Sequence, residues 1–500
     1  MISTVKQNAG EGSISSIVTK RPVYRQSPQN ITGMPPGIPF IVGNELAERF
    51  SFYGMRSILF AYMTLYLCQP HGEPDVFSDK EAEAWVHLFV GSAYLFPIIG
   101  GVLSDAFLGK YRTILWLSLV YCIGHGILAC MEWYGDTRLL LLMGLAFIAF
   151  GSGGIKPCVS AHVGDQFGPQ NRSLLAKIFG WFYLSINLGA FASGLLTPFL
   201  LEAKREAGTF GGTIYPYFTW LVGAKQEGEV IFGHHFAFGL PGVLMALATL
   251  VFWLGRKQFV HIPPVGAEFF KDLKRKENLW SLIKLWGVFS FVVLFWALFD
   301  QIGTLWQIQA RALDRMIPEW VPLWGGYELI PAQVSAVFNP LFILLLVPIF
   351  SKFIYPRLEK RTRLTPLKKM GYGFWLMVLA FLIVSVVEEL LFWGHDLHVF
   401  WQVLACLVLT ASEVMVSITC LEFAYTQSPK SMKSLVMALF LLTVSLGNYL
   451  TSAIKFFLTG EAGQNILNGS AEFWFWTGLM AGGAILFSIL SPHYRLKEVN

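Results

Sequence analysis

Ile41-Val-Gly-Asn-Glu45-Leu-Ala-Glu48-Arg49-Phe-Ser-Phe-Tyr53-Gly-Met-Arg56 sets four charged side chains inside an otherwise apolar run that continues to Cys68. The run follows Pro35-Pro36-Gly37, which marks a loop-to-helix boundary. Glu45, Glu48, Arg49, Phe52, Tyr53 and Arg56 are spaced by three and four. On a helix this gathers the charges on about a third of the circumference. An ionisable group near a bilayer centre costs roughly 2.5–3.5 kcal/mol on insertion scales. That face must therefore look into a protein interior or a water-filled cavity. Two acids beside two bases can hold a charge-balanced network, and a carboxylate that loses its basic partner there can carry a proton.

Apolar runs recur from this one to the end of the 500-residue chain. Apolar residues make up 54% of it and charged residues 14%, against the roughly 25% charged residues of soluble proteins. Runs of about 20 residues cross a bilayer as helices, because backbone groups in lipid must be satisfied within the segment. Twelve spans are expected near 37–68, 82–104, 113–133, 138–160, 173–201, 233–254, 282–310, 331–352, 367–388, 397–426, 433–458 and 471–491. The fold class is an all-α membrane protein of about 12 transmembrane helices. The polar, basic stretch from Arg256 to Asn278 is the natural hinge between two six-span halves. The expected organisation is a disordered tail over 1–36, a helix bundle over 37–255, a linker over 256–280, a second bundle over 281–492 and a short tail over 493–500.

Lys and Arg in the connections set the orientation. Lys110, Arg112, Arg172, the 256–276 linker, Lys352 to Lys369, Lys430, Lys433 and both tails fall on one side. Lys80, Arg138, Lys204, Arg205, Lys225, Arg311, Arg315 and Lys455 fall on the other and are outnumbered. Both termini are therefore expected in the cytoplasm. The six cysteines lie in or beside apolar spans without a CxxC pair or metal-ligand spacing, so they read as small buried hydrophobes. The small positive net charge of +5 gives no reason to expect nucleic acid. No HExxH, phosphate-binding Gly-x-x-x-x-Gly-Lys loop or nucleophile elbow is present, so no enzyme, metal or cofactor is expected.

Other charges sit at costly depths. Lys156 follows Gly151-Ser-Gly-Gly-Ile near the inner end of the fourth span, where it can pair with a first-span glutamate or bind a substrate carboxylate. Asp300 lies inside the seventh span, with nothing nearby in sequence to neutralise it. His87 in the second span is the natural titratable partner for it, since imidazole titrates near neutrality. Glu413 is central in the tenth span and can meet a substrate ammonium, or else a Lys or Arg. Glu422, nearer the cytoplasmic end of that span and on the opposite face, suits a gate or an interface. Asn187 and Asn339 are polar at depth and can bond substrate or another helix. Cations in the first half and an anion in the second suit a zwitterion held between the halves. The remaining acids and the histidine suit proton handling.

These segments resemble the proton-coupled oligopeptide transporter family. The matching motifs are Glu45-Leu-Ala-Glu48-Arg49-Phe50, Gly100-Gly-Val-Leu-Ser-Asp105-Ala-Phe-Leu-Gly109, Ile155-Lys156-Pro157, Phe182-Tyr183-Leu-Ser-Ile-Asn187-Leu-Gly189, Phe295-Trp296-Ala-Leu-Phe-Asp300-Gln301, Phe338-Asn339-Pro340 and Ser412-Glu413-Val, in the family's order. The resemblance implies a major facilitator fold of two six-helix bundles with alternating access. It implies import of di- and tripeptides with protons across the cell inner membrane. It assigns proton coupling to Glu45, Glu48, Arg49 and His87. It gives the peptide carboxylate to Arg56 and Lys156 and the peptide amine to Glu413. Tyr53, Tyr94, Asn187 and Asn339 would line the site by hydrogen bonding and Trp296 by packing. Asp300 would serve an outer gate. Phe52 departs from relatives that carry a tyrosine there. Two extra helices found between the halves of many bacterial members do not fit the short charged linker. Another anion such as nitrate is the alternative cargo, and Glu413 argues against it because nitrate has no amine.

Overall fold

Helices account for the ordered chain in the computed structural model, and the four isolated β-bridges build no sheet among the described residues. Those residues are 24–494 apart from 134, 207–208, 265, 267–275, 322–324, 428–432, 460–466 and 468. Of the tails expected over 1–36 and 493–500, residues 1–23 and 495–500 lie outside them, as do 265 and 267–275 of the expected linker.

The helices are α1 (Ile38–Ala61), α2 (Asp79–Val102), α3 (Lys110–Cys130), α4 (Thr137–Asp165), α5 (Leu175–Glu202), α6 (Phe210–Val222), α7 (His234–Leu254), α8 (Lys276–Phe299), α9 (Leu305–Ala312), α10 (Pro331–Ile349), α11 (Tyr355–Glu359), α12 (Pro366–Phe392), α13 (Phe400–Gln427), α14 (Lys433–Thr459) and α15 (Ser470–Leu490). Among the described residues, eleven helical stretches have the length and apolarity to cross a membrane. With α1, whose own charges lower its hydropathy, they make the expected twelve. The expected boundaries stand within a few residues. Two differences are larger. The linker is shorter than expected, because α8 already begins at Lys276. A helix absent from the expectation, α6, lies between the fifth and sixth spans. At 13 residues it is too short to cross. It presents Tyr217 and Trp220 outward, as amphipathic aromatics at a membrane interface do.

Among the described residues the two largest apolar cores are built from residues between Ile38 and Phe259 and from residues between Leu285 and Phe487. They correspond to two six-helix bundles of a major facilitator fold. Small residues let the helices close up. A Cβ on Gly100 would come within 2.4 Å of Gly154, which brings α2 onto α4. A Cβ on Gly194 would come within 2.5 Å of the Ala336 carbonyl, which brings α5 of one bundle onto α10 of the other.

α1 starts at what is called here the proximal end of the molecule and finishes at the distal end. Polar bonds between the bundles gather on the distal side of the centre. Gln307 of α9 donates to the Ser57 carbonyl at 3.2 Å. Arg311 reaches Thr64 at 2.6 Å and Asp79 at 3.1 Å. Ser452 of α14 donates to the Ala84 carbonyl at 2.8 Å.

Candidate functional site

The first helix meets its partners at two levels. Proximally, the Arg49 Nε stands 2.7 Å from Glu45 Oε1 and 3.3 Å from Glu48 Oε2. Ser152 of α4 donates to the other Glu48 oxygen at 2.6 Å. Both carboxylates are buried, and a single guanidinium serves both. Three of the four charges that the helical spacing gathers meet here, and Arg56 does not join them.

Farther along α1, Arg56 ion-pairs with Asp300, at the start of the 3-10 turn that follows α8. This corrects the expected pairing of Asp300 with His87. The histidine is linked to Asp300 through Asn448 of α14. The Asn448 amide nitrogen donates to Asp300 Oδ2 at 2.6 Å, and its oxygen lies 2.8 Å from His87 Nδ1. A carboxylate only accepts, so it fixes which way the amide points. The amide oxygen must then accept from His87, which puts the imidazole hydrogen on Nδ1. His87 Nε2 is left to accept from Thr304 Oγ1 at 3.1 Å. A continuous chain thus runs Thr304, His87, Asn448, Asp300, Arg56.

Beside the Arg56–Asp300 pair lies a cavity of about 240 Å³. That is near the lower end of the ~300–1,000 Å³ usual for small-molecule sites. One wall comes from α1, α2 and α5, with Tyr53, Arg56, Tyr94, Tyr183 and Asn187. The facing wall comes from α8, α9, α10 and α13, with Trp296, Asp300, Gln307, Asn339 and Glu413. Asn339 donates to Glu413 Oε2 at 3.0 Å, which holds the carboxylate at the cavity edge. Asn187 turns its amide to the Tyr183 carbonyl at 3.0 Å. The Trp296 indole nitrogen and the Gln307 amide oxygen are buried with no hydrogen-bond partner.

Two sequence-predicted residues lie elsewhere. Lys156 is not among the cavity-lining residues. Its ammonium sits 3.7 Å from the centre of the Phe52 ring and 4.2 Å from that of Tyr94, with no hydrogen-bond partner. It stands behind Tyr94, held by cation–π attraction and not paired with a first-span glutamate, which was one of its two expected partners. Phe52, the departure from the tyrosine of many relatives, is therefore the nearer of the two rings that hold it. Glu422 is exposed towards the proximal end of α13, outside the cavity wall and on the side of Tyr355.

Sequence reasoning missed a buried group at the distal end. Lys455 had been placed among the connections, but it lies inside α14 and is fully buried. Its ammonium meets Glu83 of α2 at 2.7 Å and also pairs with Glu472 of α15, which Lys80 approaches from outside. The signal was present in Ala453-Ile-Lys455-Phe-Phe, where a lysine interrupts an apolar span. Asn448 and Thr304 were missed because single neutral polar residues are common in spans.

The POT family model matches residues 111–281 and 270–467. Peptide transporter 3 of Caenorhabditis elegans is 34% identical over 399 residues, which are 72% of this chain and 52% of that protein. Solute carrier family 15 member 1 of Homo sapiens is 34% identical over 405 residues, 71% of this chain and 52% of that protein. The chain thus spans about half the length of the curated relatives it matches. Among solved structures, the POT family transporter PepTSo is 31% identical with a TM-score of 0.75, covering 92% of this chain and 99% of that one. An auto-inhibited POT family peptide transporter is 30% identical with a TM-score of 0.75, covering 93% and 98%. The motif order, the two bundles around a central cavity and these matches agree: the chain belongs to the POT family.

Proposed function

We propose that this chain is a proton-coupled symporter that imports di- and tripeptides across the inner membrane by alternating access, with both termini in the cytoplasm. The carrying observation is the cavity itself, with Arg56 on one bundle's wall and Glu413 on the other's. A short peptide is a zwitterion whose length separates its two charges. Its carboxylate would meet Arg56, and its ammonium would meet Glu413. Tyr53, Tyr94, Asn187 and Asn339 would bond the peptide group, and the unpartnered Trp296 indole and Gln307 amide offer a donor and an acceptor. The nitrate reading has no use for the Glu413 carboxylate.

Coupling follows from competition for partners. Arg56 holds Asp300 across the bundles, so a peptide carboxylate arriving at Arg56 weakens that bond. A proton entering the chain at His87 can settle only on Nε2, where it displaces the hydroxyl hydrogen of Thr304. The resulting imidazolium stands one amide away from Asp300 and competes with Arg56 for it. Either event loosens the distal contact between bundles. At the proximal level, protonation of Glu45 or Glu48 would release Arg49 from its double pairing. Lys156, without a hydrogen-bond partner behind Tyr94, would then be free to pair with the carboxylate that keeps its charge.

Uptake of labelled dialanine into proteoliposomes with an imposed inward proton gradient tests the reading. Accumulation should follow the gradient and collapse with a protonophore. Uptake indifferent to the gradient would sink the coupling, and no uptake of any short peptide would sink the substrate assignment.

A further inference from the structure

We propose that Glu132, His234 and His235 form a binding site for a divalent metal of the zinc class at the distal end of the amino-terminal bundle. Glu132 lies in the short turn Met131–Trp133 that closes α3. His234 and His235 open α7, directly after Gly233, whose φ of +78° sets the start of that helix. One ligand atom from each residue lies within 4.8 Å of the other two. Ligands at ~2.0–2.2 Å from a tetrahedral zinc are about 3.4 Å apart. His234 Nε2 and Glu132 Oε2 already stand 3.2 Å apart.

The groups around Glu132 and His235 orient them as the surroundings of metal ligands do. His235 Nδ1 lies 2.6 Å from the Ala129 carbonyl oxygen. A carbonyl only accepts, so Nδ1 carries the hydrogen and Nε2 keeps its lone pair. The Tyr62 hydroxyl donates to Glu132 Oε1 at 2.7 Å, which fixes the carboxylate and leaves Oε2 turned to the histidines. His234 Nε2 makes no hydrogen bond despite its closeness to Oε2. Tyr62 donates to the carboxylate, Cys68 and His235 stand beside it, and among the described residues no Lys or Arg pairs with it. One carboxylate and two imidazoles are a donor set that zinc accepts with a position left open. Side-chain exposures of 13% and 14% for Glu132 and His234 leave the ion a way in. A bound ion would tie the distal ends of α3 and α7 together and, through Tyr62, to α1.

The test is zinc chloride titrated calorimetrically into the chelator-treated, detergent-purified protein, with magnesium chloride as the control ion. The expected result is one saturable zinc site, no magnesium site, and a zinc-dependent rise in melting temperature. Glu132→Gln and His235→Ala should each weaken zinc binding by about tenfold or more. His71→Ala, on the exposed loop after α1, should leave it unchanged. His234→Gln serves if either of the first two variants fails to elute as a single species. Wild-type affinity in folded Glu132→Gln or His234→Gln protein would overturn the assignment. So would the absence of saturable zinc binding up to about 0.1 mM.

Discussion

Arg56 and Asp300 join the two bundles by an ion pair beside the central cavity, and Asn448 holds the second oxygen of the same carboxylate at 2.6 Å. Breaking one side of a buried pair leaves an uncompensated charge and costs about 3–5 kcal/mol. Asp300→Asn and Arg56→Gln should each lower the melting temperature, and the double variant should fall by less than the sum of the two. Strict additivity would mean that the two residues act independently. Thermal unfolding of all four proteins in one detergent decides it.

Asn448 is the link whose removal separates the histidine from the acid. Asn448→Leu should leave Arg56 and Asp300 paired while cutting off His87. Gradient-driven dialanine accumulation should then drop, its pH profile should flatten as in His87→Ala, and counterflow exchange should survive. A wild-type pH profile in Asn448→Leu would remove the relay from the mechanism.

Glu413→Gln keeps the shape of the cavity and removes its anion. The Asn339 amide can still donate to the new carboxamide, so folding should be little affected. Affinity for dialanine should fall by about tenfold or more, on the scale of a charge-assisted hydrogen bond worth ~1.5–3 kcal/mol. N-acetylated dialanine, which has no ammonium, should bind both proteins alike. Equal losses for both ligands would show that Glu413 does not read the amine.

How much of this was legible depended on how far apart the interacting groups lie in sequence. The Glu45–Glu48–Arg49 network is written into one helix, so period and charge sufficed to find it. The cavity residues Arg56, Asn187, Asn339 and Glu413 stood out because polar groups at mid-depth are costly. The partners of Arg56, Asn339 and Glu413 did not, because each comes from another helix. Asp300 was matched to His87 by chemistry, whereas the fold interposes Asn448 and supplies Arg56. Lys156 was expected to seek an acid, yet Phe52 and Tyr94 surround it while Arg49 and Ser152 hold Glu48. α6 was missed because its 13 residues lie below the length of any span.

The Lys156 setting gives its own prediction. Phe52→Leu removes the nearer ring and keeps the site apolar, at a cost of about 0.5–2 kcal/mol for the lost cation–π contact. The ammonium, no longer held there, should become available to Glu48 or to a peptide carboxylate. Dialanine affinity should therefore change in Phe52→Leu and not in Phe52→Leu/Lys156→Gln compared with Lys156→Gln alone. A Phe52 effect that persists without Lys156 would make the ring a packing residue only.

The distal cluster makes the strongest demand on alternating access. Lys455 and Glu83 are both fully buried and lie on opposite bundles, so the distal side cannot part without separating them. Lys455→Met would leave Glu83 and Glu472 facing each other with only Lys80, from the surface, to offset them. Like charges at close range repel, so the distal contact should loosen and one carboxylate should take up a proton. A cysteine introduced at Ser452, which bonds to the Ala84 carbonyl in the same interface, should then react faster with a membrane-impermeant thiol reagent than in the parent. Removing the excess negative charge with Glu83→Gln in the same chain should restore protection. If Lys455→Met leaves labelling unchanged, the cluster holds each bundle together without restraining the movement between them.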